Sequence, residues 1–157
     1  MTPLMRALSA LKALLWFIAV YQFACGFLLL MPPGFAQLVV GWYGATVNWT
    51  DQFTFILKPL GAYMLMTGLI AASSARATVP HPTIITSLAV LFTVNALYRI
   101  LRFQFVQQTF GIAGWHLIGQ IVVLLGLAGG LMLLSRAAVE ATGAVAGDAP
   151  KPVGAGA

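Results

Sequence analysis

Apolar residues run along this chain in long unbroken windows rather than in the spaced stripes of a soluble amphipathic helix. A helix needs about 20 mostly apolar residues to cross the hydrocarbon core of a bilayer, and four stretches meet that requirement, at about 13–31, 54–73, 83–103 and 115–135. Backbone polar groups in lipid must be satisfied within their own segment, so each window is predicted to be a helix rather than an open strand. Pro32-Pro33-Gly34 closes the first window and Pro80-His81-Pro82 divides the second from the third, since proline supplies no amide donor and restricts its predecessor. Pro59, near the start of the second window, suits the first turn of a helix, which would leave Lys58 just outside it.

The first window has the basic front of a signal peptide in Arg6 and Lys12. Its apolar stretch is longer than a signal core and no small-x-small cleavage site follows, so a retained helix is expected. The segment from Pro32 to Gln52 is too long for a tight turn and carries Trp42, Tyr43 and Trp49, rings that favour the headgroup layer. Phe35, Leu38, Val39 and Trp42 recur at helical spacing, which predicts a short interfacial helix there. Beyond Arg136 the residues become Ala, Gly, Val and Pro, with no large side chains to bury, and residues 139–157 are expected to form a disordered tail. The expected architecture is therefore all-α: an integral membrane four-helix bundle over residues 1–138, followed by that tail.

Composition supports the same solvent. The chain is 61% hydrophobic and 7% charged, against about 25% charged residues in a soluble domain, so its exterior has to face lipid. The eight Lys and Arg are scattered and form no basic stripe for a nucleic-acid backbone. They are better read as topology signals. With four spans, Arg6, Lys12, Arg76, Arg136 and Lys151 share the side of the termini, against Lys58, Arg99 and Arg102 opposite, which predicts that both termini are cytoplasmic. The single cysteine, Cys25, precludes an intrachain disulfide and reads as a small buried hydrophobe.

Polar side chains inside membrane helices are costly unless paired or facing a cavity, and so mark candidate sites. Gln22, Lys58, Asn95, Arg99 and Gln120 all fall in the half of the bilayer away from the termini. Asn95, Arg99 and Arg102 are spaced i, i+4 and i+7 on one helical face, as are His116 and Gln120 at i, i+4. With those faces inward, Lys58, Arg99 and Arg102 would make a cationic pocket for a lipid phosphate, a carboxylate or a quinone oxygen. The competing reading is that Lys58 and Arg102 snorkel to the interface. Arg99 is the deepest cation and the hardest to explain in that way.

Other chemistries find little support. His81 and His116 fall on opposite sides of the bilayer in this topology, which argues against a haem held by two imidazoles, and no span contains a carboxylate pair. No phosphate loop, Cys/His metal cluster or nucleophile triad is present, which argues against a self-contained enzyme; no cofactor is predicted from the residues themselves. Gly126 and Gly130 form a small-xxx-small pair, read as ordinary helix packing rather than a dimer interface.

Leu30-Met31-Pro32-Pro33-Gly34-Phe35 closing the first window, Lys58-Pro59-Leu60-Gly61-Ala62 opening the second, and Arg76 to His81 together resemble the small bacterial membrane proteins grouped as DoxX-like, over roughly residues 13–135. The resemblance implies a four-helix bundle in a bacterial inner membrane. It also brings in a quinone as a cofactor to consider, since some members serve as the membrane subunit of a thiosulfate:quinone oxidoreductase. It assigns no catalytic residue. The expected function is that of a non-catalytic accessory or structural subunit embedded in the lipid bilayer, packing against a membrane-protein partner or copies of itself. The alternative is a redox-associated protein that binds a quinone, lipid headgroup or small anion at Gln22, Lys58, Asn95, Arg99, Arg102, His116 and Gln120.

Overall fold

The four apolar windows fold as the four long helices of the computed structural model, which describes residues 3–147, with side chains from 5 to 140. These helices are α1 (Pro3–Leu30), α3 (Asp51–Arg76), α4 (Pro82–Leu101) and α6 (Gly114–Gly147). All four are long and apolar enough to cross a membrane. Two short helices, α2 (Pro33–Trp42) and α5 (Phe103–Phe110), sit at the end of the molecule away from the chain termini. Among the described residues there is no strand.

The helix ends depart from the sequence-based expectation where a cap or a left-handed residue decides. Thr50 is the N-cap of α3, and its hydroxyl accepts from the Phe53 amide at 3.1 Å, satisfying one of the amides that a helix start leaves without a partner. Asp51 adds a favourable negative charge in the first turn. The helix therefore begins before Thr54, and Pro59 lies inside it rather than at its first position. Helix α4 stops at Leu101; Arg102 turns the chain, with φ −112° and ψ 26°, and α5, which the apolar pattern did not predict, follows directly. Gly111 ends α5 at φ 60°, a left-handed conformation that glycine adopts without a steric penalty.

Helix α6 continues to Gly147, past the end expected near Ser135 and into the stretch expected to be disordered from residue 139. The Ala-rich segment after Arg136 lacks large side chains, but alanine has the highest helix propensity and the preceding span has already nucleated the helix. The remainder of the expected tail, residues 148–157, lies outside the described residues.

Helix α1 packs along α3, and α4 packs along α6, while α1 and α6 join the two pairs and α3 meets α4 only briefly. Small residues bring α1 and α3 together. A Cβ on Gly26 would lie 2.7 Å from the Gly61 carbonyl oxygen, and one on Gly68 would lie 3.0 Å from the Ala19 carbonyl oxygen. Such backbone approach matters in lipid, where van der Waals contact between helices rather than escape from water drives association. Gly126 and Gly130 differ within the chain: Gly130 faces Leu14 of α1, whereas among the described residues nothing lies within 4 Å of a Cβ on Gly126.

The half of the molecule nearer the termini is filled by apolar side chains from all four long helices, among them Leu15, Ile18, Ala71, Ile85, Phe92 and Leu131. In the other half the packing divides. Cys25, Leu29, Val39 and Leu57 join α1, α2 and α3, while Val106, Ile112 and Leu117 join α5 to α6. Of the polar side chains singled out by the sequence, Gln120 of α6 reaches across to Tyr43, which packs against the first of these clusters.

Candidate functional site

The site is built around the last turn of α4, where Arg99 lies. Its side chain crosses to α6, and Nη1 donates to Oε1 of Gln120. The Gln120 amide group in turn donates through Nε2 to the carbonyl oxygen of Tyr43 at 2.7 Å. The two bonds fix the amide orientation, because a carbonyl acceptor needs the NH₂ end and a guanidinium needs the oxygen end. Tyr43 is reached from a third helix: the Tyr21 hydroxyl on α1 donates to the Tyr43 hydroxyl at 2.9 Å. A polar chain thus links α1, the end of α2, α4 and α6.

Local backbone geometry brings Tyr43 to this position. It caps α2, its amide donating to the Val39 carbonyl, and the chain then turns at Gly44 with φ 70°. A Cβ on Gly44 would lie 2.7 Å from His116 Nδ1, so glycine serves both the dihedral and the contact. Two residues later the Thr46 amide donates to the Phe110 carbonyl at 2.8 Å, clasping the segment against the turn between α5 and α6. Burial pushes the Tyr43 hydroxyl above its ordinary value, outweighing the Tyr21 hydrogen bond and the nearby Arg99 charge, which act downward. Tyr43 therefore stays a neutral phenol whose proton is available to a further acceptor.

The sequence-predicted residues separate into groups. Arg99 and Gln120 meet as their helical faces implied. His116 stacks on Trp115 and packs over Gly44, supporting the site from outside rather than contributing a polar contact to it. Gln22 is half-buried on α1, and its Oε1 is enclosed without a hydrogen-bond partner. Asn95 is exposed, and its side chain donates back to the Leu91 carbonyl of its own helix at 3.0 Å. Arg102 is exposed as well.

Lys58 has a different task from the one its charge suggested. Its Nζ donates to the carbonyl oxygens of Leu29, Leu30 and Met31 at 3.3, 2.9 and 2.6 Å. Those carbonyls end α1, where Pro32 and Pro33 remove the amides that could have served them. An ammonium placed there also complements the negative end of the helix dipole. A pocket combining Lys58, Arg99 and Arg102 is thus not formed: one cation caps a helix, one is exposed, and one remains in the site.

Sequence reasoning missed Tyr21 and Tyr43 as members of the site. The signal that could have found Tyr21 is its i, i+4 spacing to Cys25, whose buried thiol lies beside its hydroxyl. For Tyr43, whose carbonyl and hydroxyl both take part, no periodic pattern extends through the loop that holds it.

No family model, curated protein or solved structure matches this chain. What the site can do must therefore be argued from its own atoms. Arg99 is part-buried, its Nε is enclosed and lacks a hydrogen-bond partner, and its polar surroundings are Gln120, Tyr43 and Tyr21 rather than a carboxylate. A donor-rich site around a guanidinium without a counter-charge attracts oxyanions or strongly polarised carbonyl oxygens. Among the described residues no three His, Cys, Asp or Glu side chains come together as a metal site.

Proposed function

We propose that this protein is a four-helix bundle of a bacterial inner membrane, with both termini cytoplasmic, whose function is to hold a ligand through an anionic or polarised oxygen at Arg99. The observation that carries this reading is the enclosed, unpartnered Nε of Arg99 on a guanidinium whose other end is held by Gln120. An unpaired buried donor costs about 1–3 kcal/mol, more for a charged group, and an incoming oxygen would remove that cost. A lipid phosphate, a carboxylate and a quinone carbonyl all meet the requirement; the resemblance to DoxX-like proteins favours the quinone. On this reading Gln120 and Tyr43 are positioning residues and the Tyr43 hydroxyl is a second donor to the ligand.

The test is extraction from native membranes directly into lipid nanodiscs, followed by mass spectrometry of the small molecules retained. The wild type should retain a specific anionic or carbonyl compound that Arg99→Leu loses and Arg99→Lys retains in part, because lysine supplies the charge without the planar fork. Equal retention by wild type and Arg99→Leu would leave the accessory-subunit reading in its place. That reading draws on exposed apolar side chains such as Phe55, Leu101 and Trp115, which contact with lipid already explains.

A further inference from the structure

A second polar locus lies at the opposite end of the molecule, on the outer surface between α4 and α6. A crevice of about 230 Å³ is lined by Thr86 of α4 together with Met132, Ser135, Arg136, Val139 and Glu140 of α6. It is smaller than the roughly 300–1,000 Å³ clefts that enclose whole drug-sized ligands, so its natural occupant is a headgroup rather than an entire small molecule. At Thr86 it meets a second crevice running along α4 past Ser87 to Val90, and Met132 continues the apolar floor on α6. Arg136 and Glu140 are both exposed, and neither side chain engages in a hydrogen bond or ion pair among the described residues.

The order of groups along the crevice is specific. Along α6, which runs outward toward its C-terminal end, Glu140 is the outermost of the crevice groups, and Arg136 lies one turn deeper, about 6 Å at 1.5 Å per residue. The hydroxyls of Ser135 and Thr86 follow, and then Val90 and Met132. Read from the outer end inward, the polar groups run anion, cation, hydroxyl donors, with Val139 beside Glu140 at the mouth and the apolar floor at the inner end. A glycerophospholipid with a primary ammonium headgroup presents the complementary order: ammonium, phosphate, ester oxygens, acyl chains.

We infer that the crevice between α4 and α6 is a binding site for a phosphoethanolamine lipid, with Glu140 on the ammonium, Arg136 on the phosphate and the Thr86 and Ser135 hydroxyls on the ester region. A guanidinium matches phosphate through its planar donors. The carboxylate gives selectivity, because a primary ammonium offers three N–H donors to it and a trimethylated one offers none. An anionic lipid without an amine would satisfy Arg136 but would be repelled by Glu140.

The experiment reconstitutes the full chain in nanodiscs holding equal amounts of phosphatidylethanolamine, phosphatidylcholine and phosphatidylglycerol, then releases it into mild detergent and counts retained lipids by native mass spectrometry. Wild type should retain phosphatidylethanolamine over phosphatidylcholine by roughly two- to fivefold, the range that an interfacial charge pair supplies. Glu140→Gln should abolish that preference. Arg136→Gln should lower retention of all three lipids, and Arg136→Lys should restore most of it. The preference for the ethanolamine lipid over the choline lipid should persist in Arg99→Leu, whatever ligand that variant loses, so failure of this inference is distinct from failure of the ligand at Arg99. Equal retention of the ethanolamine and choline lipids by wild type, a preference for phosphatidylglycerol, or a preference that survives Glu140→Gln would each overturn the assignment.

Discussion

Arg99 of α4 and Gln120 of α6 are bonded side chain to side chain, and the far end of the same glutamine holds the carbonyl of Tyr43. One amide thus couples the part-buried cation to the segment that follows α2. Without Gln120 the guanidinium would lose its acceptor and the Tyr43 carbonyl its donor, so both depend on one side chain.

Replacing that side chain should therefore be costly. Gln120→Leu is expected to destabilise the protein by about 1.5–3 kcal/mol, the range for hydrogen bonds to charged groups, measured as thermal or denaturant unfolding in detergent. In a double-mutant cycle with Arg99→Leu the two losses should fall short of additive by about 0.5–3 kcal/mol. Strict additivity would mean that the bond contributes nothing.

Lys58→Met should lower stability by about 1–2 kcal/mol through the carbonyls of Leu29, Leu30 and Met31 left without their shared donor. Retention of any ligand at Arg99 should be unchanged, since Lys58 belongs to the end of α1. Loss of that ligand with stability intact would return Lys58 to the binding site.

Glycines on the two faces of the fold should respond in opposite ways. Gly26→Ala sets a methyl 2.7 Å from both the Gly61 oxygen and the Leu65 nitrogen, backbone atoms that cannot swing aside, and overpacking of this kind costs about 1–3 kcal/mol. Gly126→Ala meets nothing within 4 Å and should be neutral or stabilising by up to roughly 0.5–1 kcal/mol from helix propensity. Unfolding midpoints of the two variants, measured side by side, decide the matter; a destabilised Gly126→Ala would reveal a helix packed against that face.

Orientation is tested by topology reporters placed after Lys12, near Thr46 and after Glu140. The distribution of basic residues predicts cytoplasmic activity at the first and last fusions and periplasmic activity at Thr46. The reverse pattern would place Arg99 at the cytoplasmic face and the crevice at Arg136 on the other.

The four spans were legible in the sequence because the length and apolarity needed to cross a bilayer are properties of each segment alone. The spacing that put Arg99 and Gln120 on candidate inner faces was equally local. Helix ends were less so: Thr50 capping α3 moved Pro59 into its interior, and the alanines after Arg136 carried α6 onward where composition had suggested a tail. What the sequence left open was which side of each helix turns inward. Lipid and protein core are similarly apolar, so an outward Leu101 and an inward Leu131 read alike. Only packing could show that Lys58 serves the end of another helix, that Arg102 points away, and that the Tyr43 carbonyl, held in a loop with no periodicity, completes the contact to Gln120. Those outcomes depend on donors and acceptors far apart in the chain, and the three-dimensional fold alone brings them within bonding distance.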